Sequence, residues 1–317
     1  MNSVHQLFDQ EGADLEQSDL ADQEPSQTPA LQQESEVDCQ PSKHDVQIGL
    51  ASDPGRVRSR NEDTSLVWQM VIAQQGRPPL PTGIYVVADG MGGYAQGEKA
   101  STLATHMATE HIVRKIALPM LGDDIDSVQR EPIHDVLRQS VHIAHQAVSR
   151  RYPESGTTMT LALMLGESIF IAHVGDSRAY LGERGSLDLL TKDHSVAARL
   201  LEMGQASEEE AAPQRNVLYK AIGQGAEVEP DIVYQGLSLG QYLLLCCDGL
   251  WGKIPDAQIA AIVEAAPTPD LACQNLVKQA NENGGEDNIS VVLVARGWPL
   301  PESDSLGPSL PHPDDGI

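Results

Sequence analysis

"IYVVADGMGG", residues 84–93, poses the question on which the fold turns. Five mostly apolar residues run straight into Asp89, and Gly90, Met91, Gly92 and Gly93 follow. The run reads as a buried strand. Asp-Gly is a common turn signal, because Gly accepts positive φ and Asp bonds to nearby backbone. Alone, the dipeptide says only that a strand ends here. The same ending recurs along the chain, however. "LLLCCDGLW" puts Asp248-Gly249 after Leu243, Leu244 and Leu245, and "FIAHVGDSR" reaches Asp176 after an apolar run. Asp287 in "NGGEDNIS" stands just before a strand, and "RNEDTS" puts Glu62 and Asp63 close before Leu66-Val67-Trp68.

Acids repeated at strand edges have a physical consequence. Several carboxylates gathered at one end of buried sheets repel one another and titrate upward unless a cation neutralises them. Oxygen-only ligands select hard divalent ions such as Mg2+ or Mn2+. A Gly directly after an Asp lets a backbone carbonyl approach the ion. Arg58, five residues before Asp63 in "GRVRSRNED", adds a guanidinium that matches a phosphate through two parallel hydrogen bonds. These residues together suggest a carboxylate-metal site acting on a phosphate ester. The Gly-rich "DGMGGYAQGEKA" is not read as a nucleotide loop. It lacks the G-x-x-x-x-G-K-[ST] order, and no G-x-G-x-x-G is present.

Other segments supply the scaffold. "DVQIGLAS" (45–52), "TMTLALML" (158–165) and "SIFIAHVGD" (168–176) read as strands, the last two forming a hairpin across Gly166-Glu167. "RAYLGE" (178–183) would extend that meander. "QYLLLCCDG" (241–249) and "NISVVLVAR" (288–296) are nearly continuous apolar runs, expected of strands buried on both faces. A Pro-rich linker, "GRPPLPTG", precedes the strand at 84–89. Apolar periodicity predicts long helices over 97–118 and 133–152, with shorter ones around 255–265 and 269–282. Strands outnumber helices and many are joined by short loops. That predicts an α+β fold of stacked antiparallel sheets covered by helices rather than a doubly wound parallel sheet. His106, His111, His142 and His145 have no matching ligand set and are assigned to surface or packing roles.

Composition bounds the rest. The net charge of −25 is uneven. Residues 1–45 hold 11 acids and one Lys, and residues 298–317 hold four acids and no Lys or Arg, which leaves −11 on 46–297. The Gln-, Glu- and Pro-rich first 45 residues cannot bury enough surface to offset their ordering entropy, so an acidic disordered tail is expected. A second, Pro-rich tail is expected over 298–317, with one catalytic domain at 46–297. The first residues lack the basic start and apolar run of a signal peptide, and no apolar run reaches about 18 residues. Four cysteines without zinc spacing suggest thiols in the cytoplasm. Acidity argues against nucleic acid, and neither a membrane span nor an oligomer is expected.

With these residues in hand, the chain closely resembles the bacterial type 2C metal-dependent serine/threonine protein phosphatases. The stretches that carry the resemblance are "SDPGRVRSRNED" (52–63), "VVADGMGGYAQGEKAS" (86–101), "SGTTMTLALM" (155–164), "AHVGDSRAYL" (172–181), "LTKDHS" (190–195), "LYKAIGQGAEVEPDI" (218–232), "LLLCCDGLW" (243–251) and "GGEDNISVVLV" (284–294). They stand in the family's order and cover roughly residues 46–296. The resemblance implies a four-layer α-β-β-α sandwich with two ions of Mn2+ or Mg2+ at one end. It implies that Asp89 bridges them, that Gly90 lends its carbonyl, that Asp248 and Asp287 hold one ion, and that Glu62 and Asp63 serve the other. Asp176 with Asp248 would hold a third, weaker ion. Arg58 would grip the phosphate, and Asn288 would orient the Asp287 region.

The activity it implies is signalling-type hydrolysis of phosphoserine and phosphothreonine in proteins, substrates of serine/threonine kinases. The chemistry would be direct attack by a hydroxide bridging the ions, with no phosphoenzyme. A regulatory pseudophosphatase, or a hydrolase of small phosphate esters, are the alternatives. Three departures stand out. Met91 sits where some members carry a His proposed as general acid, and a thioether cannot donate a proton. Lys220 replaces a usual Arg, losing bidentate geometry. The segment 196–217, matching the mobile flap beside the site, is rich in Glu and could bear on substrate choice.

Overall fold

The computed structural model describes residues 46–73, 79–92, 96–121 and 131–298. The expectations for residues 1–45 and 299–317 lie outside the described residues. Twelve strands are described: β1 (Val46–Asp53), β2 (Thr64–Ile72), β3 (Leu80–Ala88), β4 (Gly90–Gly92), β5 (Ser155–Thr157), β6 (Met159–Leu165), β7 (Ser168–Val174), β8 (Arg178–Glu183), β9 (Ser186–Leu189), β10 (Asp231–Gly236), β11 (Tyr242–Cys246) and β12 (Ile289–Arg296). The α-helices are α1 (Gln96–Ile112), α2 (Ile133–Arg151), α3 (Val196–Glu202), α4 (Glu208–Ala211), α5 (Asp248–Trp251), α6 (Asp256–Ala265) and α7 (Pro269–Glu282).

Two five-stranded antiparallel sheets form, in the orders β1-β12-β11-β8-β9 and β10-β7-β6-β3-β2. A short ribbon pairs β4 with β5. Alternation along each strand divides the buried side chains among three apolar layers. Ile84, Val86 and Ala88 of β3 pack with Ala104, Leu137, Val141 and Val148 of α1 and α2. Leu244 and Cys246 of β11 pack with Ile259, Val263 and Leu276 of α6 and α7. Tyr85, Val87, Leu243, Leu245, Val292 and Val294 point the other way and meet between the sheets. Three cores separate four layers, so the architecture is α-β-β-α as expected. Helices cover the outer face of each sheet, which is why β11 and β12 read as continuous apolar runs although the sheets are antiparallel. Each fully buried Leu, Ile or Val contributes roughly 1.5–3 kcal/mol.

The hairpin predicted at Gly166-Glu167 forms, with Leu165 opposite Ser168 and Gly166 at φ 64°. Helices α2, α6 and α7 match their periodicity closely. Other expectations need correction. The segment 178–183 does not extend the meander; β8 crosses to the other sheet, between β11 and β9. The run 241–249 leaves the sheet at Cys246, and Asp248 opens the helical turn α5. The run 168–176 leaves the sheet at Val174. β3 starts at Leu80, inside the Pro-rich stretch. Pro81 is tolerated because β6 begins to pair only at Thr82, and the Pro81 carbonyl still accepts the Gly166 N–H at 2.8 Å. The helix at 97–118 is α-helical to Ile112 and finishes in a π-helical turn, Val113–Ala117. Trp298, which composition puts with the C-terminal tail, is buried and packs on the α6–α7 layer.

Candidate active site

The topology brings the strand-edge acids to one cleft of about 430 Å3. Arg58, Glu62, Asp89, Gly90, Asp176, Asp248, Asp287 and Asn288 all line it. Asp63 does not; its carboxyl is buried behind the cleft floor, near Cys247 and Ser290. The sheet ends supply the pieces: Asp89 follows β3, Asp176 follows β7, Asp248 follows β11, and Asp287 precedes β12.

Asp89 is held through its backbone. Its N–H donates to the Thr158 hydroxyl at 2.9 Å, and its carbonyl accepts from the Thr158 N–H at 2.9 Å and the Thr157 hydroxyl at 2.8 Å. The Thr158 hydroxyl passes on to Ser177 at 2.8 Å. The carboxylate itself is thereby left for the cleft. Neither threonine stands out in the sequence beyond the "GTT" of its motif.

Asn288 ties the Arg58–Asp63 loop to β12. Its amide donates to the Pro54 and Arg60 carbonyls at 3.0 and 2.8 Å, and its side-chain oxygen accepts the Glu62 N–H at 2.8 Å. The Asn288 N–H donates to Asp287 Oδ1 at 2.9 Å, and Arg58 Nη2 donates to Asp287 Oδ2 at 2.8 Å. Asp287 raises the Arg58 pKa further. Gly90 and Gly97 let three backbone segments meet at close range. A Cβ on Gly90 would lie 2.3 Å from the Gly97 carbonyl oxygen, and one on Gly97 would lie 2.9 Å from the Gly90 oxygen and 3.0 Å from Glu62 Cδ. On the far side, Trp251 Nε1–H donates to the Asp176 carbonyl at 3.0 Å. The Arg178 guanidinium stacks 3.6 Å over the Trp251 ring while gripping Asp193 through two hydrogen bonds of 2.8 and 3.0 Å.

The electrostatics follow from burial. Burial, then mutual repulsion, lifts the Asp89 pKa well above the carboxylate range. Burial pushes Asp63 up to about 7 and Asp176 up to about 8, and raises Asp248 and Glu62. Both oxygens of Asp63 and Oδ1 of Asp248 are buried without a hydrogen-bond partner. Among the described residues, no three acid, His or Cys side chains close on one point as a preformed ion cage. The orphaned oxygens and the repulsion carry more weight, since such groups are stable only when protonated or neutralised by a cation. The donor set is all oxygen, so it fits hard divalent ions.

The wall facing the acids was foreseen only at Met91 and at the flap segment 196–217, whose Asn216 and Val217 reach it. Met91, Gly92, Thr158, Asn216, Val217, Leu218 and Gln224 complete the cleft. Gln224 Nε2 approaches Met91 Sδ at 3.6 Å. Glu208–Glu210 do not line it. They form the first turn of α4, where Glu210 closes a capping box with Ser207. His194 lies outside the cleft too. Its Nδ1 accepts the Gly175 N–H at 3.0 Å, its Nε2 faces Asp231 Oδ2 at 3.2 Å, and burial lowers its pKa. Lys220 meets Asp231 at a single 2.9 Å contact.

Comparison with known proteins places the fold. A model of the protein phosphatase 2C family matches residues 75–264. The serine/threonine phosphatase Stp of Listeria welshimeri is 34% identical over 247 residues, covering 77% of this chain and 94% of that protein. The chain belongs to the protein phosphatase 2C family. Solved phosphatases share its fold. The serine/threonine phosphatase of S. agalactiae superposes with a TM-score of 0.64 at 32% identity, over 79% of this chain and 99% of that one. The catalytic domain of the phosphatase PstP in complex with two manganese ions superposes with 0.62 at 30% identity, over 79% and 97%.

Proposed function

We propose that this protein is a metal-dependent phosphoprotein phosphatase that hydrolyses phosphoserine and phosphothreonine. The observation that carries the reading is the convergence of Asp89, Asp176, Asp248 and Asp287 on one cleft, with Arg58 at its edge. Asp89, Gly90, Asp248 and Asp287 would hold two Mn2+ or Mg2+ ions, with Glu62 and Asp63 serving one of them and Asp176 with Asp248 a third. Bound there, such ions supply Lewis-acid charge and an activated water.

The chain's own residues supply the rest. Arg58 is exposed and holds Asp287 through one nitrogen, so its other donors can take two phosphate oxygens. Thr157 and Thr158 hold Asp89, and Asn288 holds Glu62, through backbone groups, which leaves those two carboxylates to the cleft, whereas the Asp287 carboxylate is oriented by the Asn288 N–H and Arg58. Met91 has no proton to give, and His194 is turned toward Asp231. Neither side chain is therefore placed to protonate the leaving hydroxyl. With every metal-ligand acid retained, a pseudophosphatase is not favoured. The buried free thiols Cys246, Cys247 and Cys273 support a cytoplasmic setting. Among the described residues no helix is long and apolar enough to cross a membrane. Phosphoproteins made by serine/threonine kinases are the substrates proposed, in a signalling role, with the chain acting as a monomer.

The test is hydrolysis of p-nitrophenyl phosphate and a phosphothreonine peptide, with and without Mn2+ or Mg2+. The reading requires activity that EDTA abolishes. Activity that persists in EDTA would refute it.

A further inference from the structure

A second cleft of about 250 Å3 adjoins the catalytic one, and the two share Leu218 and Gln224 as lining. Both walls of the second cleft are anchored. On one, the Val196 N–H donates to the Val217 carbonyl at 2.7 Å, and the Tyr219 N–H donates to the His194 carbonyl at 2.9 Å. On the other, Ile222 exchanges two backbone hydrogen bonds with Thr157, at 2.9 and 3.0 Å, and the Gly223 N–H donates to His145 Nδ1 at 3.1 Å. Gly223 and Gly225 take φ of 89° and 79°, a left-handed geometry that fixes the turn carrying Gln224. A cleft with both walls anchored is preorganised for a ligand.

Its charge is one-sided. Lys220 is neutralised by Asp231 at 2.9 Å. Glu229, two residues beyond Glu227, is taken up by Arg138 at 2.7 Å. Glu227 lines the cleft, is exposed, and forms no salt bridge among the described residues. Among the residues lining this cleft the unbalanced charge is thus negative. Tyr219 lines it too, with the Arg199 guanidinium of this chain 5.3 Å over one face of its ring, so the phenol edge is what is left for the stem of a long side chain. Successive residues of an extended peptide advance by about 3.3–3.6 Å, so a chain with its phosphoresidue in the first cleft has its next one or two residues within reach of the second.

We infer that this second cleft is a specificity subsite for a Lys or Arg side chain flanking the phosphorylated residue, with Glu227 as its counter-charge. The inference rests on the phosphoprotein phosphatase reading and names the peptide class that reading leaves open.

The test is a panel of phosphothreonine peptides with Arg, Ala or Glu placed in turn at the two positions on each side of the phosphothreonine. At one position, Arg lowers KM relative to Ala by about 3- to 10-fold and Glu raises it, the range expected of a partly exposed charge pair. Glu227→Lys reverses that order, and Glu227→Asp keeps it. No Arg preference at any position in the wild type overturns the inference by itself, and so does a preference that survives Glu227→Lys. Wild-type hydrolysis of p-nitrophenyl phosphate, which has no flanking residue, separates the two levels. Turnover of it beside a flat peptide panel sinks only the subsite. Turnover of neither substrate sinks the phosphatase reading and the subsite with it.

Discussion

Arg58 Nη2 lies 2.8 Å from Asp287 Oδ2, so one contact joins the proposed phosphate grip to a proposed metal ligand. The side chains are 54% and 35% exposed, and pairs that wet contribute about 0–1 kcal/mol. Arg58→Ala is therefore expected to leave the thermal midpoint almost unchanged. It removes charge-assisted donors from the phosphoryl group, so kcat/KM for a phosphopeptide should fall by about 10²-fold or more. Steady-state kinetics beside a thermal melt measure both. A large drop in midpoint without loss of kcat/KM would reverse the assignment.

The carboxylate cluster predicts how metal and pH interact. Asp63, pushed up to about 7, Asp176, up to about 8, and Asp89 and Asp248 are all raised on folding. A raised acid binds its proton more tightly in the folded state. Its contribution is fully present below the unfolded carboxylate pKa of about 4 and is lost as pH rises to the folded value. In EDTA the protein should lose stability between about pH 4 and 8. A divalent ion must displace those protons, so the midpoint gain from Mn2+ should be larger at pH 8 than at pH 6. Melts at the two pH values, with Mn2+ and with EDTA, measure it. Equal gains would count against a cluster neutralised by metal.

Thr158→Val tests how Asp89 is held. The substitution keeps the shape but strands the Asp89 N–H and the Ser177 hydroxyl. Unpaired buried groups cost about 1–3 kcal/mol each. A loss of about 2 kcal/mol or more is expected by denaturant unfolding, with reduced activity, and Thr158→Ser should restore much of both. A valine variant as stable and active as the wild type would remove the clamp from the account.

Asn288→Ala removes three side-chain hydrogen bonds that pin the Arg58–Asp63 loop. Destabilisation of about 2–4 kcal/mol is expected. Mn2+ affinity by titration calorimetry should weaken by about 10- to 100-fold, the usual effect of removing a group that orients metal ligands. Unaltered Mn2+ affinity in the folded variant would mean that Asn288 serves the loop alone.

How much of this was legible in the sequence depended on the kind of signal each residue carries. Asp89, Asp176, Asp248 and Asp287 could be found because a charge at the end of an apolar run is conspicuous. The opposite wall was legible only in part, at Met91 and at the end of the 196–217 segment. Leu218 and Gln224 are uncharged residues in loops, and only the folded chain shows that they face the acids. The strands divided in the same way. β6 and β7 are mostly apolar and joined by a Gly turn, whereas β9 and β10 are half-exposed edge strands with no apolar run to mark them. β8 was placed in the wrong sheet because the short break at Ser177 looks like any tight turn. In the structure the Ser177 carbonyl accepts from Thr160 and its hydroxyl from Thr158, and the chain crosses there to the other sheet. In the Glu-rich flap, Glu210 caps α4, and Glu208–Glu210 do not line the cleft.

The central claim is that Asp89 makes this cleft a metal-dependent phosphatase centre. Phosphate release from a phosphothreonine peptide at saturating Mn2+ tests it most directly, comparing wild type with Asp89→Asn at equal folded fraction. The account predicts a fall in kcat of about 10³-fold or more, the scale reached when a positioned electrostatic group at the reacting centre is lost. A variant within 10-fold of wild type would contradict it.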